Sequence, residues 1–311
     1  MGYGYNPIVG ENWRYNPEKT FKISRSKIEL FFNCATCFYK DAKLGLRKPP
    51  MPGWAINSAV DDLLKKEMDF CRLQDRPHGI FKENGLNIKP FQHEDIEKWQ
   101  HTFTGIQYHD EEHDFLLYGG VDDIMIDENG KLVVIDFKAT AKKADILSYN
   151  DVYNNGESYK RQLEIYSWLL KKNNFDVSDT GYLMYYNGDA SKPHLGREMH
   201  FRRTLVPFKL DTEWISPLIQ DMYDCLQLEE TPDYNPDCPD CIYLKTVSEL
   251  WFVYPEGFKN YSDYIDAMES DFKNAEKYSN AHEALDAAIE LDTQIETEYG
   301  VVYKGLFDLD I

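Results

Sequence analysis

One stretch, residues 119–139 (GGVDDIMIDENGKLVVIDFKA), narrows the possible folds of this chain more than any other. Two strand-like runs, residues 121–126 and 132–139, flank an Asn-Gly pair, which is the strongest short-range signal for a β-hairpin. The second run is apolar until it reaches the charged segment Asp-Phe-Lys at residues 136–138. Charges at the end of a buried strand are costly unless something compensates them. We therefore predict a functional site at the end of this hairpin.

The predicted hairpin brings three charged side chains near one point. Side chains alternate between the two faces of a strand, so Asp136 and Lys138 share a face while Phe137 points to the other. Asp122 lies on the partner run, which crosses close by. A hard cation such as Mg²⁺ prefers oxygen ligands and keeps several waters, so Asp122 and Asp136 are its predicted ligands. Lys138 could orient or help deprotonate a water, or stabilise charge on a transferring phosphoryl group.

Four motifs follow one another along the chain. They are an N-terminal segment at residues 24–39, Gly-Val-Asp at 120–122, Ile-Asp-Phe-Lys at 135–138, and a Gln and a Tyr four residues apart at 162 and 166. In this order they resemble the PD-(D/E)xK nuclease superfamily, within it the RecB-like branch that includes AddB-type nucleases and CRISPR-adaptation exonucleases. The resemblance covers roughly residues 20–245. It implies an α/β fold, a restriction-endonuclease-like core with a central mixed β-sheet flanked by helices, followed here by a C-terminal helical appendage.

The resemblance also implies a function and a set of site residues. The function is that of a Mg²⁺- or Mn²⁺-dependent exonuclease, a hydrolase acting on single-stranded DNA or duplex ends in repair, recombination or phage replication. Asp122 and Asp136 would bind the metal, with the Phe137 carbonyl as an extra ligand. Gln162 and Tyr166 share a face of a helix predicted over residues 157–172 and would support the site.

Two positions depart from the family pattern. RecB-like nucleases usually place a His on the helix after a Gly, and here Asn57 stands at the matching spot, where its amide oxygen would be a poorer metal ligand. Asp61, one turn on, could substitute for that ligand. Asp123 competes with Asp122 for the role of metal ligand, because the family often has a basic residue there. Together with the negative net charge, Asn57 keeps open a rival function, a catalytically weakened nuclease fold that binds nucleic acid or acts as a scaffold.

Two Cys-x-x-Cys pairs, Cys34 with Cys37 and Cys238 with Cys241, stand about 200 residues apart. Two such pairs can hold Zn²⁺ or an iron–sulfur cluster, and we predict one of these cofactors here. Relatives in the resembling branch hold a [4Fe-4S] cluster with one N-terminal and three C-terminal cysteines. The two-plus-two pattern of this chain leaves the metal open.

The chain of 311 residues has 34 basic and 54 acidic residues, a net charge of −20 that argues against a generic basic nucleic-acid binder. The imbalance is uneven, with eight basic and two acidic residues in 19–48 but four basic and fourteen acidic in 256–311. The basic segment could therefore still face phosphate, and the acidic tail could bind a protein partner. With no signal peptide or membrane-length apolar run, we expect a cytoplasmic protein without membrane contact.

The predicted organisation is an N-terminal arm (1–20), a nuclease-like domain (21–248) and an acidic helical appendage (249–311). Residues 74–92 are predicted to be a loop. The predicted helices within the domain span residues 24–46, 54–73, 95–101, 157–172 and 211–228, and strands beyond the hairpin span 103–108, 181–187 and 197–207.

Overall fold

The computed structural model describes residues 8–48, 55–194 and 196–250, and the chain divides into two compact units, Met1–Asn235 and Pro236–Ile311. In the described part, the first unit holds all the strands and the second holds one helix. No described helix is long and apolar enough to cross a membrane. The domain boundary at residue 248 stays a prediction, and nearly all of the predicted appendage lies outside the described residues.

The strands are β1 (Phe21–Ser24), β2 (Ile88–Pro90), β3 (Ile106–Asp110), β4 (Phe115–Gly119), β5 (Asp123–Asp127), β6 (Leu132–Thr140), β7 (Thr180–Gly188) and β8 (Phe201–Lys209). The helices are α1 (Arg25–Asn33), α2 (Ala35–Ala42), α3 (Ala55–Leu73), α4 (Gly79–Glu83), α5 (Ile96–Gln100), α6 (Glu157–Lys172), α7 (Ile215–Gln227) and α8 (Pro239–Leu250).

The strands form two mixed sheets, and the α/β fold class predicted from the sequence is confirmed. The larger sheet has the order β2-β5-β6-β7-β8, in which only β6 and β7 run parallel. The smaller sheet has the order β1-β4-β3, with β1 parallel to β4. The expected single central sheet is thus divided, because the predicted strand before the hairpin pairs within the smaller sheet.

The predicted hairpin is strands β5 and β6, paired from Asp123 with Ile135 to Ile126 with Leu132. Gly130 closes the turn with a φ of +83°, a conformation that costs other residues more than glycine. Asp127 accepts hydrogen bonds of 2.8 Å from the backbone N–H groups of Asn129 and Lys131. The turn is therefore held by a side chain as well as by the Asn-Gly pair.

Helix α6 lies where the sequence predicts it and packs against strands of both sheets. Every residue from 162 to 170 is buried, including Gln162 and Glu164. Glu164 is satisfied by the Asp211 N–H and the Trp214 indole N–H, each at 2.9 Å. Buried polar groups need hydrogen-bond partners, and a neighbouring segment supplies them for Glu164, whereas the Ser167 hydroxyl has none among the described residues.

The N-terminal segment corrects the prediction of one helix over residues 24–46. A strand, β1, precedes two helices, and Ser24 caps the first by accepting the Lys27 N–H at 3.3 Å. Cys34 is extended (φ −164°, ψ 108°), and its sulfur accepts the Cys37 N–H at 3.4 Å to begin the second helix. A cysteine is not an ordinary helix-capping residue, so the helical pattern alone does not indicate this break.

The predicted loop over residues 74–92 is also corrected, since it contains α4 and β2. Strand β2 pairs antiparallel with β5 at the edge of the larger sheet, and Pro90 ends it. Proline has no backbone N–H to donate, and it is tolerated on an edge strand because one side of that strand forms no hydrogen bonds with another strand.

Candidate active site

Asp136 is almost fully buried (1% exposed) on β6, and two side chains engage its carboxylate. The Gln162 amide donates to Oδ1 at 2.8 Å, and the Lys138 ammonium forms an ion pair with Oδ2. Phe137 points to the other face of the sheet, where it packs in a separate apolar cluster. The strand thus delivers an acid and a base to one face, as alternation requires.

Gln162 and Tyr166 lie one turn apart on α6, and the same Gln162 amide nitrogen donates to the Tyr166 hydroxyl at 3.0 Å. The tyrosine ring lies against Gly119, where a Cβ would come within 2.6 Å of a ring carbon. Glycine at the end of β4 is therefore needed for the ring to approach. Burial raises the pKa of Tyr166, although the nearby Arg25 opposes it, so the hydroxyl remains protonated at neutral pH.

Asp122 lies just before β5, outside the strand ladder in which the sequence places it. Its carboxylate accepts the backbone N–H of Phe137 at 2.7 Å, which brings it beside the Asp-Phe-Lys segment. Burial, together with the negative charge of Asp136, raises the pKa of Asp122 well above its ordinary value, and Lys138 only partly offsets this. The half-buried Asp122 carboxylate and the buried Asp136 carboxylate thus repel each other.

Lys138 is the cation between these acids. Burial of Lys138 favours its neutral form. The negative charges of Asp136 and Asp122 together outweigh this effect and raise the pKa of Lys138. The ammonium also lies 4.8 Å from the centre of the Tyr159 ring, on α6. Tyr159 is a site neighbour that the motifs do not predict, although its position three residues before Gln162 places both on one helix face. Lys138 is therefore charged at neutral pH.

Asp123 lies apart from this group. It is fully buried on the opposite face and forms an ion pair with Arg72 of α3. Arg72 also donates to the Phe91 carbonyl at 2.8 Å, and one Asp123 oxygen, Oδ2, has no hydrogen-bond partner among the described residues. Burial raises the pKa of Asp123 to about 6 although Arg72 opposes the shift. We expect this pair to be structural.

Asn57 and Asp61 come from the first half of α3, at the margin of the group. The Asn57 amide nitrogen donates to the Ala139 carbonyl at 3.2 Å, one residue beyond Lys138. Asp61 pairs with Lys65 at 2.8 Å, and the charge of Asp61 contributes to the raised pKa of Asp122. Both residues thus adjoin the hairpin end, while a role for Asn57 as a metal ligand stays a prediction.

The chemistry of these groups suits a hard divalent cation. Asp122 and Asp136 offer carboxylate oxygens, and Mg²⁺ is commonly held by one or two carboxylates with the remaining positions taken by water and substrate phosphate. A divalent cation would also relieve the repulsion that raises the pKa of Asp122. Lys138 supplies a fixed positive charge at the same place.

The four cysteines of the two Cys-x-x-Cys pairs are buried and free of disulfide bonds. Cys34 and Cys37 stand at the start of α2, and Cys238 and Cys241 at the start of α8. That the two pairs share one metal ion stays a prediction. Cys71 and Cys225 are buried too, and burial raises the pKa of Cys225 to about 11, as expected for a core thiol.

A model of the PD-(D/E)XK nuclease superfamily matches residues 58–246. The match spans more than half of the 311 residues and includes Asp122, Asp136, Lys138, Gln162 and Tyr166. The chain therefore belongs to the PD-(D/E)XK nuclease superfamily. Members of this superfamily are hydrolases of nucleic acids that use divalent metals. Asn57, Cys34 and Cys37 lie before the matched residues.

Nine chains of solved structures give a significant match. One, described as the crystal structure of SSO0001, is 18% identical, and the alignment covers 72% of this chain and 84% of that chain with a TM-score of 0.32. None of the curated proteins gives a significant match.

Proposed function

We propose that this chain is a metal-dependent nuclease that hydrolyses phosphodiester bonds in DNA. The observation that carries the proposal is the buried, connected group of Lys138, Asp136, Gln162 and Tyr166 beside Asp122. A retired site has no physical need for a buried acid and lysine on one strand end, because burying charge costs free energy. Membership of a nuclease superfamily supports the same conclusion.

Each residue has a role that its contacts support. Asp122 and Asp136 would hold Mg²⁺ or Mn²⁺, with the Phe137 carbonyl and Asn57 as further candidate ligands, and the bound cation would activate water and neutralise phosphate charge. The Gln162 amide, itself beside Tyr166, orients the Asp136 carboxylate through its 2.8 Å hydrogen bond. Lys138 is charged at rest, so it suits stabilisation of the extra negative charge on the phosphoryl group better than proton abstraction.

We further propose that the chain falls in the RecB-like branch and acts as an exonuclease at DNA ends, in repair, recombination or phage replication. The support is the order of the four motifs along the sequence and the two Cys-x-x-Cys pairs. The acidic residues 256–311 would serve as a contact for a protein partner.

Cleavage of linear DNA is expected with Mg²⁺ or Mn²⁺ and not with EDTA. Lys138→Ala is expected to lower the rate by at least about 100-fold, the usual cost of removing one group that stabilises developing charge. The matched control is Lys131→Ala, an exposed lysine at the hairpin turn. Single-stranded, blunt duplex and circular substrates, followed by gel electrophoresis, distinguish attack at ends from internal cleavage.

The rival function makes a different prediction for the same samples. A folded protein, verified by circular dichroism, that binds DNA but cleaves none of these substrates with either metal would contradict the nuclease. It would support a nucleic-acid-binding or scaffold protein on the same fold. Asn57 favours that rival function, because its side-chain amide replaces the family's usual histidine and already donates a hydrogen bond to a backbone carbonyl. Asn57→His would then test whether the family's usual ligand restores cleavage.

We propose that the four cysteines hold Zn²⁺ or a [4Fe-4S] cluster. Purification without oxygen followed by elemental analysis is expected to find one of these metals, and replacement of Cys34 and Cys238 together by serine is expected to remove it and lower the melting temperature. Cys71→Ser, a buried cysteine outside the group, is the control and should retain the metal. Protein that carries neither metal and melts like the double variant would contradict the proposal.

A further inference from the structure

A cleft of about 910 Å³ lies in the first unit, lined by the N-terminal segment, the smaller sheet and Phe103. Lys22 and Ser24 are two residues apart on β1 and therefore share one face of the smaller sheet. Ser24 pairs with Tyr118 of β4, so this exposed face forms one wall of the cleft. None of the residues proposed to hold Mg²⁺ lines this cleft, whereas Cys37 of the cysteine pairs does.

The charge of this cleft is opposite to that of the chain. Its lining contains six basic residues (Arg14, Lys19, Lys22, Lys27, Arg47 and Lys48) and two acidic ones, whereas the whole chain has 54 acidic against 34 basic residues. Lys27 and Arg47 both pair with the carboxylate of Asp41. A basic groove on an acidic protein attracts a polyanion locally while the rest of the surface repels it.

Two aromatic side chains stand open at this cleft. Trp13 is 60% exposed and Phe103 is 72% exposed, although burial is what normally stabilises such rings. Exposed aromatic side chains that line a basic groove are the usual arrangement for binding single-stranded nucleic acid, because successive bases stack on the rings while lysines contact the backbone. Duplex DNA keeps its bases stacked inside and would leave these rings unused.

Two short connections link the cleft to Tyr166. Tyr118 of the cleft is followed by Gly119, whose backbone contacts the Tyr166 ring. Arg25, between the cleft residues Ser24 and Ser26, lies close enough to influence Tyr166 electrostatically. Neighbouring strand residues point to opposite faces, so Tyr118 faces the cleft while Gly119 faces Tyr166 on the other side of the smaller sheet.

We propose that this cleft binds a single-stranded nucleic acid, with Trp13 and Phe103 stacking on bases and Lys19 and Lys22 contacting phosphates. This inference deepens the proposed nuclease function by naming the form of its substrate. It rests on that function, because the strand bound in the cleft would be the strand that is cut. The binding itself needs no catalysis and can be measured without it.

The first test measures the affinity of the full chain for a fluorescent oligothymidylate in EDTA, by anisotropy. Trp13→Ala and Phe103→Ala are each expected to weaken binding by about ten-fold, as loss of a stacking platform does. Trp13→Tyr and Phe103→Tyr, which keep a ring, should bind within about two-fold of the wild type. Phe70→Ala is the control, since Phe70 is 54% exposed and lies outside the cleft.

The second test measures the salt dependence of the same binding. Replacing Lys19 and Lys22 by glutamine is expected to reduce the slope of log affinity against log salt by about 1.4, or 0.7 for each phosphate contact on a single strand. Replacing Lys82 and Lys131, two exposed lysines outside the cleft, makes the same change in net charge and should leave the slope unchanged. An oligouridylate measured in parallel distinguishes RNA from DNA as the natural strand.

The outcomes separate this inference from the nuclease itself. Variants of both aromatic residues that bind the oligonucleotide like the wild type would overturn the inference, even if the wild type cleaves DNA. Loss of duplex binding in the lysine variant without any effect of the aromatic variants would assign the cleft to a duplex backbone and also overturn it. The expected losses in a protein that never cleaves would support the cleft and contradict the nuclease.

Discussion

Replacing Asp122 by asparagine is expected to abolish metal-dependent cleavage and, without metal at neutral pH, to raise the free energy of unfolding. Activity should fall by at least about 100-fold, because a ligand carboxylate is lost where negative charge on phosphate develops. Stability should rise because burial and Asp136 disfavour the Asp122 carboxylate. An asparagine oxygen can still accept the Phe137 N–H, which Asp122 binds at 2.7 Å. Chemical denaturation and cleavage assays on the same samples measure both effects.

The pH dependence of this stabilisation has a defined sign. The folded pKa of Asp122 is raised above its unfolded value, so the folded state binds the extra proton. Metal-free wild type should therefore lose stability as pH rises through the folded pKa, and Asp122→Asn should not show this loss. Mg²⁺ should raise the melting temperature of the wild type only, since it binds the native site. Asp221→Asn, an exposed acid on α7, is the control, and equal metal effects in wild type and Asp122→Asn would contradict Asp122 as a ligand.

Replacing Arg72 by methionine is expected to destabilise the fold by about 3–5 kcal/mol at neutral pH, the usual cost of leaving one partner of a buried ion pair alone. Arg72 is 7% exposed and Asp123 is fully buried, so water cannot compensate the remaining carboxylate. The loss should be smaller below pH 6, because Asp123 has a folded pKa of about 6 and its protonated form needs no countercharge. Denaturant unfolding at several pH values gives the measurement.

A double variant tests whether this pair is structural. Changing Arg72 to methionine and Asp123 to leucine together should recover most of the stability, because apolar replacements of a buried pair are often neutral or favourable. Cleavage should persist in the double variant if Asp122, and not Asp123, holds the metal. Arg197→Met, at an exposed arginine outside the helices and strands, should change stability by about 0.5 kcal/mol or less. Loss of cleavage in the stable double variant would return Asp123 to the site.

Adjacent aspartates thus have opposite tasks in this proposal. Asp122 lies outside the ladder, beside Asp136 and Lys138, whereas Asp123 begins β5 and faces Arg72. Side chains of adjacent strand residues point to opposite faces, so only one of the two aspartates can lie beside Asp136 and Lys138. The sequence predicts the alternation but not which of the two faces α6.

The sequence by itself determined the local elements and the nuclease-like order of motifs. The Asn-Gly hairpin and helix 157–172 follow from turn chemistry and apolar periodicity, which are properties of neighbouring residues. The positions of Asp136, Lys138, Gln162 and Tyr166 could be read in the same way, because spacings of two and four define faces within one strand and one helix.

Only the tertiary structure decided which residues from distant segments come into contact. The Arg72–Asp123 pair joins residues 51 apart, and the basic cleft combines the N-terminal segment with Phe103 and Tyr118. The break at Cys34 and the division into two sheets likewise depend on long-range packing. The physical reason is that propensity and periodicity act within a few residues, while burial and charge compensation depend on which surfaces meet after the chain has folded.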